Sequence, residues 1–522
     1  MSTRWWGAVV MSTRSWGAVV AGVLLGASFF DFRLFALAWV GAALLLGVLA
    51  GEIPLRAFFL GFVAGMAGLS LAFAWLVYAL QVFGGFSFGI AVVISLAPIA
   101  WMAIQLGVCG ALLAWLGPLP LSLAAPLIFT GIEFLFPSLF PWRLAHSQYR
   151  VPVLLQSGDL AGPFLLTFAM VWTGACAVQV RALILRGGPQ RSRAVVLHTL
   201  PPLLLVGGLV AYGLWRMPVI EAARQRAPVL RVGVVQGNVG VSRKGRQASF
   251  TRNMQDYRDL SASIAPTSDV LIWPETVFQR HIPTTMRALD RGYHPFPDSP
   301  LPLIFGGLGV ARNMTPRRIF NSAFLVDASG QIRGRYDKRV LVPFGEYMPL
   351  GDRFPRLRTI SPATGNFRPG TGPLVLPLDD GARFGALICY EDVIPDLARA
   401  AVRAGANVLL NLTNDAWYGD TAQPHQHQAL AIWRAVETRR DFVRVTNTGL
   451  TSVIAASGSI LTTFPTFVPH AEATEVRLLA SVTPYTRYGD VFGWTVVGLL
   501  ALAVGRRWRR GPGLPCKPHG PV

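Results

Sequence analysis

The composition of this 522-residue chain excludes a single soluble domain. Apolar residues make up 52% and charged residues only 14% of it, and the mean hydropathy is +0.44, which together indicate several membrane spans. The formal charge of +20 is not accompanied by an arginine-rich helix, a zinc-ligand pattern or an aromatic RNA-binding signature, so we do not expect nucleic acid as a partner. Arginines beside membrane spans account for much of this charge.

The chain begins with a tandem repeat, MSTRWWGAVV followed by MSTRSWGAVV, which indicates a duplication or an alternative start at Met11. The first apolar stretch runs from Ser15 to Phe30, with Arg4 and Arg14 as its basic flank. Such a stretch is typical of a signal peptide or of a membrane anchor. Because no clear A-x-A cleavage pattern follows, we interpret it as a retained anchor.

Apolar windows predict eight membrane spans in all. Beyond the first stretch, they cover residues 34–50, 57–80, 86–116, 119–136, 162–180, 194–214 and, more marginally, 491–504. Basic residues concentrate on the cytoplasmic side of membrane proteins, and here arginine-rich segments alternate with short loops that hold few arginines. With the amino terminus inside, seven spans place residues 226–485 outside the cytoplasm, and the eighth returns the tail to the inside.

The hydropathy changes near Arg224, where a soluble pattern begins. Strand-like and helix-like stretches alternate there, which is typical of an α/β domain. The predicted strands are 229–236, 268–273, 302–310, 319–327, 383–390, 407–412 and 442–447, and the predicted helices are 247–264, 391–404 and 425–439. We therefore divide the chain into a membrane domain (1–220), an α/β domain (226–485), a carboxy-terminal transmembrane helix (488–508) and a cytoplasmic tail (509–522).

Cys389 ends an apolar run of strand character, RFGALIC, and a helical pattern opens at Asp392. A strand that stops on a cysteine presents its sulfur at the carboxyl edge of the sheet, where open α/β sheets bind ligands. The other cysteines lie in apolar spans or in the tail, and this count excludes a disulfide framework and a zinc site. Two roles remain open for Cys389, a nucleophile or a small buried hydrophobic residue.

Lysine is rare in this chain, at Lys244, Lys338 and Lys517 only. Arginine cannot replace a compact ammonium that must enter a tight site, so Lys338 is a candidate site residue, with a solvated lysine between strands as the alternative. Glu275 follows Pro274 and the apolar segment VLIW. A dry environment of that kind raises the proton affinity of a carboxyl group, which makes Glu275 the candidate general base.

These three residues predict covalent catalysis at a carbonyl group. Glu275 accepts the thiol proton, Cys389 attacks, and Lys338 stabilises the oxyanion that forms. Glu346 and Glu391 either orient the lysine and the attacking amine or serve as structural hydrogen-bond acceptors.

Histidine is not assigned to the chemistry by the sequence. His425 and His427 lie in QPHQHQ, a segment that we interpret as a helix start.

The order and local context of Glu275, Lys338 and Cys389 resemble the Glu-Lys-Cys triad of the nitrilase, or carbon-nitrogen hydrolase, superfamily. The resemblance implies a four-layer α-β-β-α sandwich, whereas the periodicity supports only an α/β class. Over almost its full length the chain also resembles the apolipoprotein N-acyltransferase family. The matching segments are SFFDFRLFALAWV, IEFLFPSLFPWRLAHSQY, VVQGN, LIWPE, KRVLVPFGEYMP, LICYEDVIPD, NLTNDAWYGD, RVTNTGLTS and TPYTRYGD. In one departure, the tryptophan that this family usually carries after QGN is missing, and the chain reads SRKGR around Gly245.

This resemblance implies acyl transfer in two steps at the bacterial inner membrane, with the catalytic domain on the periplasmic side. Cys389 takes an acyl chain from a membrane phospholipid as a thioester, and the α-amine of the diacylglyceryl-cysteine of an apolipoprotein then receives it. Supporting roles fall to Glu346, Tyr390 and Glu391. No cofactor or metal is implied.

The sequence leaves two alternatives to lipid acyl transfer as the function. A membrane-anchored amidase or nitrilase acting on a small molecule needs one anchor rather than eight spans. A transporter or receptor with a sensory domain is disfavoured because the spans lack paired intramembrane charges, with Glu133 nearly alone.

Overall fold

The computed structural model of the chain describes residues 13–138, 140–186, 191–240, 247–311, 317–359 and 365–509. The repeat unit that begins at Met1, the alternative start at Met11, the segment around Gly245 and the tail beyond Arg509 lie outside these residues.

The helices are α1 Thr13–Phe30, α2 Leu37–Leu49, α3 Pro54–Ala72, α4 Trp75–Gly84, α5 Phe88–Trp115, α6 Leu121–Leu135, α7 Pro152–Leu155, α8 Gly158–Ala161, α9 Phe164–Arg186, α10 Arg191–Arg226, α11 Gln247–Ile264, α12 Pro395–Arg403, α13 Gln423–Thr438, α14 Pro484–Tyr488 and α15 Val491–Arg509. The strands are β1 Val229–Gln236, β2 Val270–Ile272, β3 Phe278–Pro283, β4 Leu303–Ala311, β5 Arg318–Val326, β6 Ile332–Asp337, β7 Val375–Pro377, β8 Arg383–Ile388, β9 Val408–Thr413, β10 Phe442–Thr446, β11 Ser452–Ile454, β12 Ile460–Thr463 and β13 His470–Arg477.

Within the described residues, six helices are long and apolar enough to cross a membrane, namely α1, α3, α5, α9, α10 and α15. The apolar helices α2 and α6 are shorter, so a count of eight spans stays a prediction. The predicted single span 57–80 is wrong, because α3 ends at Ala72 and α4 begins at Trp75. The chain turns at Phe73, and the Ala72 carbonyl accepts a hydrogen bond of 2.7 Å from the Gln426 side chain instead of continuing the helix.

Small residues let α1 and α3 pack with their backbones in contact. A Cβ atom at Gly22 would lie 2.1 Å from the Ala64 carbonyl oxygen, and one at Gly26 would lie 2.2 Å from that of Gly68. Apolar helices inside a lipid environment gain stability from such close backbone packing, because burial from water is not available to drive their association.

Two sheets form the α/β part. The first has the strand order β13-β1-β2-β4-β5-β6 with β3 also paired to β4, and the second has the order β12-β11-β10-β9-β8-β7. Apolar side chains from both sheets meet in one core that includes Val234, Ile304, Leu410 and Val445. Helix α11 covers the outer face of the first sheet through Tyr257, while α12 and α13 cover the second. The layers are therefore α-β-β-α, as the resemblance implies.

The strand and helix predictions locate the main elements, with different ends. Helix α12 begins at Pro395, so the helical start predicted at Asp392 is wrong; a 3-10 turn from Cys389 to Val393 comes first. Ile394 is extended, as a residue before proline prefers to be. Helix α10 continues to Arg226, past the predicted boundary at 220, and links the membrane helices directly to β1.

The second sheet's outer helices rest on the membrane helices. One apolar core contains Trp433 of α13 together with Phe29 of α1 and Leu69 of α3. The Gln426 side chain donates to the carbonyl oxygens of Phe29 (3.1 Å) and Ala72 (2.7 Å). It thereby satisfies carbonyls that the ends of α1 and α3 leave without a partner in their own helices. This contact holds the catalytic domain against the apolar helices.

Candidate active site

Cys389 lies on a sharp turn directly after β8. Its φ angle is +52°, a left-handed conformation that residues other than glycine adopt at a cost of about 1–3 kcal/mol and that often marks functional sites. The Asn411 side chain on the neighbouring strand β9 donates a 2.9 Å hydrogen bond to the Cys389 carbonyl oxygen. The strain and this bond fix the direction in which the sulfur leaves the sheet.

Glu391 ties this turn to the segment that follows β6. One carboxylate oxygen accepts hydrogen bonds from the backbone N–H of Arg339 (2.7 Å) and of Val340 (3.0 Å). The other accepts from the Tyr336 hydroxyl and from the Ile388 N–H, each at 2.8 Å. Glu391 is fully buried, and these four donors occupy its lone pairs. Of the two roles left open by the sequence, the geometry favours the structural one.

Lys338 is the first residue after β6 and is only 1% exposed. Its ammonium nitrogen lies 2.8 Å from Glu346 Oε2 and 4.0 Å from Glu275 Oε1. Glu275 stands in the turn after β2, where the backbone approaches β4 so closely that a Cβ atom at Gly306 would lie 2.5 Å from the Pro274 carbonyl oxygen. The structure therefore brings the predicted lysine and both predicted carboxylates together.

Asn321 of β5 belongs to this group, and the sequence reasoning missed it. Its side-chain amide donates to Glu275 Oε1 at 2.7 Å and to Glu346 Oε1 at 3.0 Å, while its backbone carbonyl accepts the backbone N–H of Lys338 at 2.8 Å. One asparagine thus holds both carboxylates and the lysine backbone in place around the ammonium. The sequence feature that could have identified Asn321 is its position as the one asparagine inside the largely apolar strand segment RIFNSAF.

The electrostatics set the resting protonation states. Burial raises the pKa of the Cys389 thiol, Glu275 raises it further, and Lys338 lowers it by less than these two effects. Burial works against the charged form of Lys338, yet Cys389, Glu346 and Glu275 together raise its pKa above the usual value. The site therefore rests as a protonated thiol beside a charged ammonium, and a base must remove the thiol proton when the sulfur attacks.

A second buried group of charges stands behind the cysteine turn, and the sequence reasoning missed it as well. His427 Nε2 lies 2.6 Å from Asp392 Oδ1, and Nδ1 lies 3.1 Å from Asp415 Oδ1. Arg444 reaches Asp392 at 3.3 Å and Asp415 at 3.0 Å. With His427 protonated, two positive and two negative charges balance inside the protein. Nδ1 also lies 2.7 Å from the Arg444 guanidinium. Because both ring nitrogens are engaged by these charged groups, His427 holds the turn and is not placed as the base for Cys389.

Replacing His427 with asparagine is expected to destabilise the protein by about 3 kcal/mol, because two buried aspartates then share one arginine. Burial and the Arg444 charge lower the pKa of His427, but Asp392 and Asp415 raise it more, to about 9. This raised pKa stabilises the fold fully below about pH 6.5, the unfolded value, and the contribution is lost as the pH rises through about 9. Thermal unfolding of the detergent-solubilised chain from pH 6 to 10 measures both effects.

The control for this prediction is His425→Gln, which changes an exposed histidine on the same helix. Burial lowers the pKa of His425, so this change should leave the melting temperature unchanged above about pH 7, where His425 is neutral in both states. An H427N protein that melts like the wild type and keeps the same alkaline fall in stability would contradict the assigned role of His427.

Cys389 and Tyr390 line a cavity that opens between the second sheet and the membrane helices. Its other walls are largely aromatic, and they include Phe29, Phe73 and Trp75. The Trp75 indole N–H donates to Gln426 Oε1 at 3.0 Å, which fixes this ring in the wall. The cavity combines a thiol with a largely apolar lining, as ligand-binding pockets commonly do.

Two family models match successive parts of the chain. Residues 231–469 match the carbon-nitrogen hydrolase family, and residues 21–176 match the apolipoprotein N-acyltransferase N-terminal domain. Among solved structures, a mutant of an amidase of the nitrilase superfamily from Nesterenkonia superposes with a TM-score of 0.35 at 21% identity, over 49% of this chain and 93% of its own.

Full-length relatives give the more specific match. The apolipoprotein N-acyltransferase of Geobacter metallireducens is 34% identical over 94% of this chain and 94% of its own. That of Azotobacter vinelandii is 31% identical over 93% of each chain, and that of Bdellovibrio bacteriovorus is 29% identical over 93% of this chain and 92% of its own. With two domain matches in the expected order and relatives aligned from end to end, the chain belongs to the apolipoprotein N-acyltransferase family.

Proposed function

We propose that this protein transfers an acyl chain from a membrane phospholipid to the amino-terminal cysteine of diacylated apolipoproteins, through a thioester on Cys389. The observation that carries the proposal is the aromatic cavity, which joins Cys389 to helices of membrane-spanning length. A soluble amidase has no need of such a junction. The family relationship supports the same conclusion.

In the first half-reaction, Glu275 accepts the proton of the Cys389 thiol while the sulfur attacks the ester carbonyl of the lipid. The carbonyl oxygen becomes negative and is stabilised by the Lys338 ammonium, which is held between two carboxylates. The carbon–oxygen bond to the glycerol then breaks as the carbonyl re-forms. Glu275 returns the proton to the leaving alkoxide, which departs as a lysophospholipid.

In the second half-reaction, the neutral α-amine of the apolipoprotein cysteine attacks the thioester carbonyl. Glu275 takes the proton that the nitrogen loses and returns it to the departing sulfur, so that an amide and the free thiol are formed. Water must be kept out, because it competes with the amine for the thioester. The aromatic wall of the cavity serves this purpose.

The energetics of lipid transfer explain why this domain rests on membrane helices. Moving about fourteen methylenes from a bilayer into water costs on the order of 11 kcal/mol at ~0.8 kcal/mol per methylene. An acyl chain that slides from lipid into the apolar cavity avoids most of this cost. The ester therefore meets Cys389 at the membrane surface.

The orientation is part of the proposal. The chain is a multi-pass protein of the bacterial inner membrane, and we place the catalytic domain on its periplasmic side with eight spans in total. The distribution of arginines between alternate loops supports this orientation, and the two shorter apolar helices α2 and α6 supply the spans beyond the six long ones.

The test is the acyl-enzyme itself. Incubation of the full chain with phospholipid, without an acceptor, should yield a Cys389 peptide whose mass is increased by one acyl group. Adding a diacylated lipopeptide should remove this mass and yield the triacylated product. A small-amide hydrolase, the alternative function, would form no such adduct from phospholipid, so an unmodified Cys389 peptide in a preparation active on small amides would reject acyl transfer.

A further inference from the structure

A recess with four arginines lies apart from the active-site cavity, where α12 and α14 meet the start of α15. The arginines are Arg143, Arg399, Arg403 and Arg487. We call this feature the arginine recess. Its only carboxylates among the described residues are those of Asp396 and Asp490.

One arginine contacts both of those carboxylates. Arg399, which is 6% exposed, contacts Asp396 and lies 3.3 Å from Asp490. The Nε atom of Arg399 is buried and has no hydrogen-bond partner among the described residues. Both negative charges of the recess are thus already engaged by one guanidinium.

The other three arginines lack a carboxylate partner within the described part of the chain. Arg403 donates to the Thr486 carbonyl oxygen at 3.1 Å, and Arg487 stacks over Tyr488 with its guanidinium carbon 5.4 Å from the ring centre. Arg143 stacks over Phe164 at 4.2 Å, and its NH1 atom is buried without a hydrogen-bond partner.

Two buried carboxylates behind the recess, those of Glu133 and Glu437, also attract Arg143. Glu133 accepts hydrogen bonds from the Leu144 N–H and the Thr167 hydroxyl. Glu437 is paired with Arg434 at 2.7 Å. The four arginines and two aspartates that line the recess therefore leave it with a surplus of two positive charges.

The position of the recess points to a lipid. Val491 begins the apolar helix α15, and Trp494 on its first turns is 61% exposed, as is typical of aromatic residues at the level of lipid headgroups. Phe134, in the last turn of α6, packs against Trp494 with ring centres 5.0 Å apart. Guanidinium groups thus stand directly beside an apolar surface at the end of two apolar helices.

We propose that the arginine recess binds the headgroup of an anionic phospholipid, whose acyl chains lie along Val491 and Trp494. The phosphodiester accepts hydrogen bonds from Arg403 and Arg487, since guanidinium groups bind phosphate oxygens in a planar, two-pronged geometry. The surplus positive charge selects a lipid with net negative charge over a zwitterionic one. The bound lipid stabilises the junction between α12 of the catalytic domain and the membrane helix α15. This site goes beyond the acyl-transfer function, because Cys389 does not line it.

The experiment uses the full chain in neutral detergent micelles, with native mass spectrometry for lipid binding and thermal unfolding for stability. Phosphatidylglycerol should bind with one more molecule per chain than phosphatidylethanolamine, which enters only the active-site cavity, and should raise the melting temperature more. Inorganic phosphate should do neither. Arg403→Gln and Arg487→Gln should each weaken phosphatidylglycerol binding about fivefold, as expected for loss of one interfacial arginine. Arg487 is exposed and forms no ion pair among the described residues, so R487Q keeps the test informative if R403Q does not fold.

Two matched controls remove an arginine elsewhere. Arg291→Gln changes an exposed arginine of the catalytic domain, and Arg56→Gln changes one beside the start of α3. Both should bind phosphatidylglycerol like the wild type. Equal effects of the zwitterionic lipid, full reproduction of the shift by inorganic phosphate, or equal losses in R291Q would each overturn the proposal.

Discussion

Replacing Cys389 with alanine should lower acyl transfer to a diacylated lipopeptide by at least about ten-thousandfold, the scale expected when a covalent nucleophile is removed. The reason is that no other described residue on the cavity wall offers a nucleophile at the end of a strained strand. The measurement is the rate at which triacylated product forms from phospholipid and lipopeptide, together with the mass of the peptide that contains position 389.

The chain supplies its own controls for this change. Cys109 and Cys176 are buried thiols on α5 and α9, and their replacement by alanine should leave the rate within about twofold, because the volume lost is small and neither thiol lines the cavity. A C389A protein that still converts the lipopeptide would reject the proposed nucleophile. The C109A and C176A proteins show whether a loss is specific to the site.

Replacing Lys338 with methionine should lower kcat by about 100- to 1,000-fold, the loss typical of removing one group that stabilises an oxyanion. The variant should also be less stable, since Glu275 and Glu346 are then buried without the cation between them. Lys338→Arg should not restore the rate. A guanidinium keeps the charge, but it is larger than an ammonium whose site leaves the side chain 1% exposed.

The separation of kcat from KM decides what Lys338 does. A lysine that stabilises the transition state affects kcat, and a lysine that only holds the fold lowers the amount of active protein without changing kcat per active site. Glu346→Gln is the companion variant. It keeps an oxygen acceptor beside the ammonium and should reduce kcat by less than K338M does. Unchanged thioester formation in well-folded K338M would remove Lys338 from the chemistry.

The proposed active site lies where residues that follow strands of the two sheets meet. Glu275 and Lys338 follow strands of the first sheet, whereas Cys389 follows a strand of the second. Glu391 connects them, because it binds backbone groups next to Lys338 and next to Cys389 at the same time. Replacing Glu391 would therefore change the positions of both the Lys338 ammonium and the Cys389 thiol.

Several structural features of the chain could be predicted from its sequence pattern. Runs of apolar residues located the long helices, because their length and hydropathy are local properties. Helix α11 was predicted with its observed bounds, Gln247–Ile264, since its amphipathic period is also local. The end of the strand at Cys389 was signalled in the same way. The segment 57–80 failed because a partner distant in sequence, Gln426, caps the break at Ala72.

The sequence by itself determined that this chain has apolar helices, an α/β domain and a cysteine at a strand end, because each of these depends on neighbours within a few turns or strands. Only the tertiary structure decided that Asn321 bridges two carboxylates and that His427 contacts Asp392 and Asp415. It also decided that aromatic side chains of the membrane helices line the cavity around the Cys389 thiol. Those contacts join residues far apart in the chain, and a side chain's charge and partners depend on which surfaces the packing of the two sheets and the helices brings together.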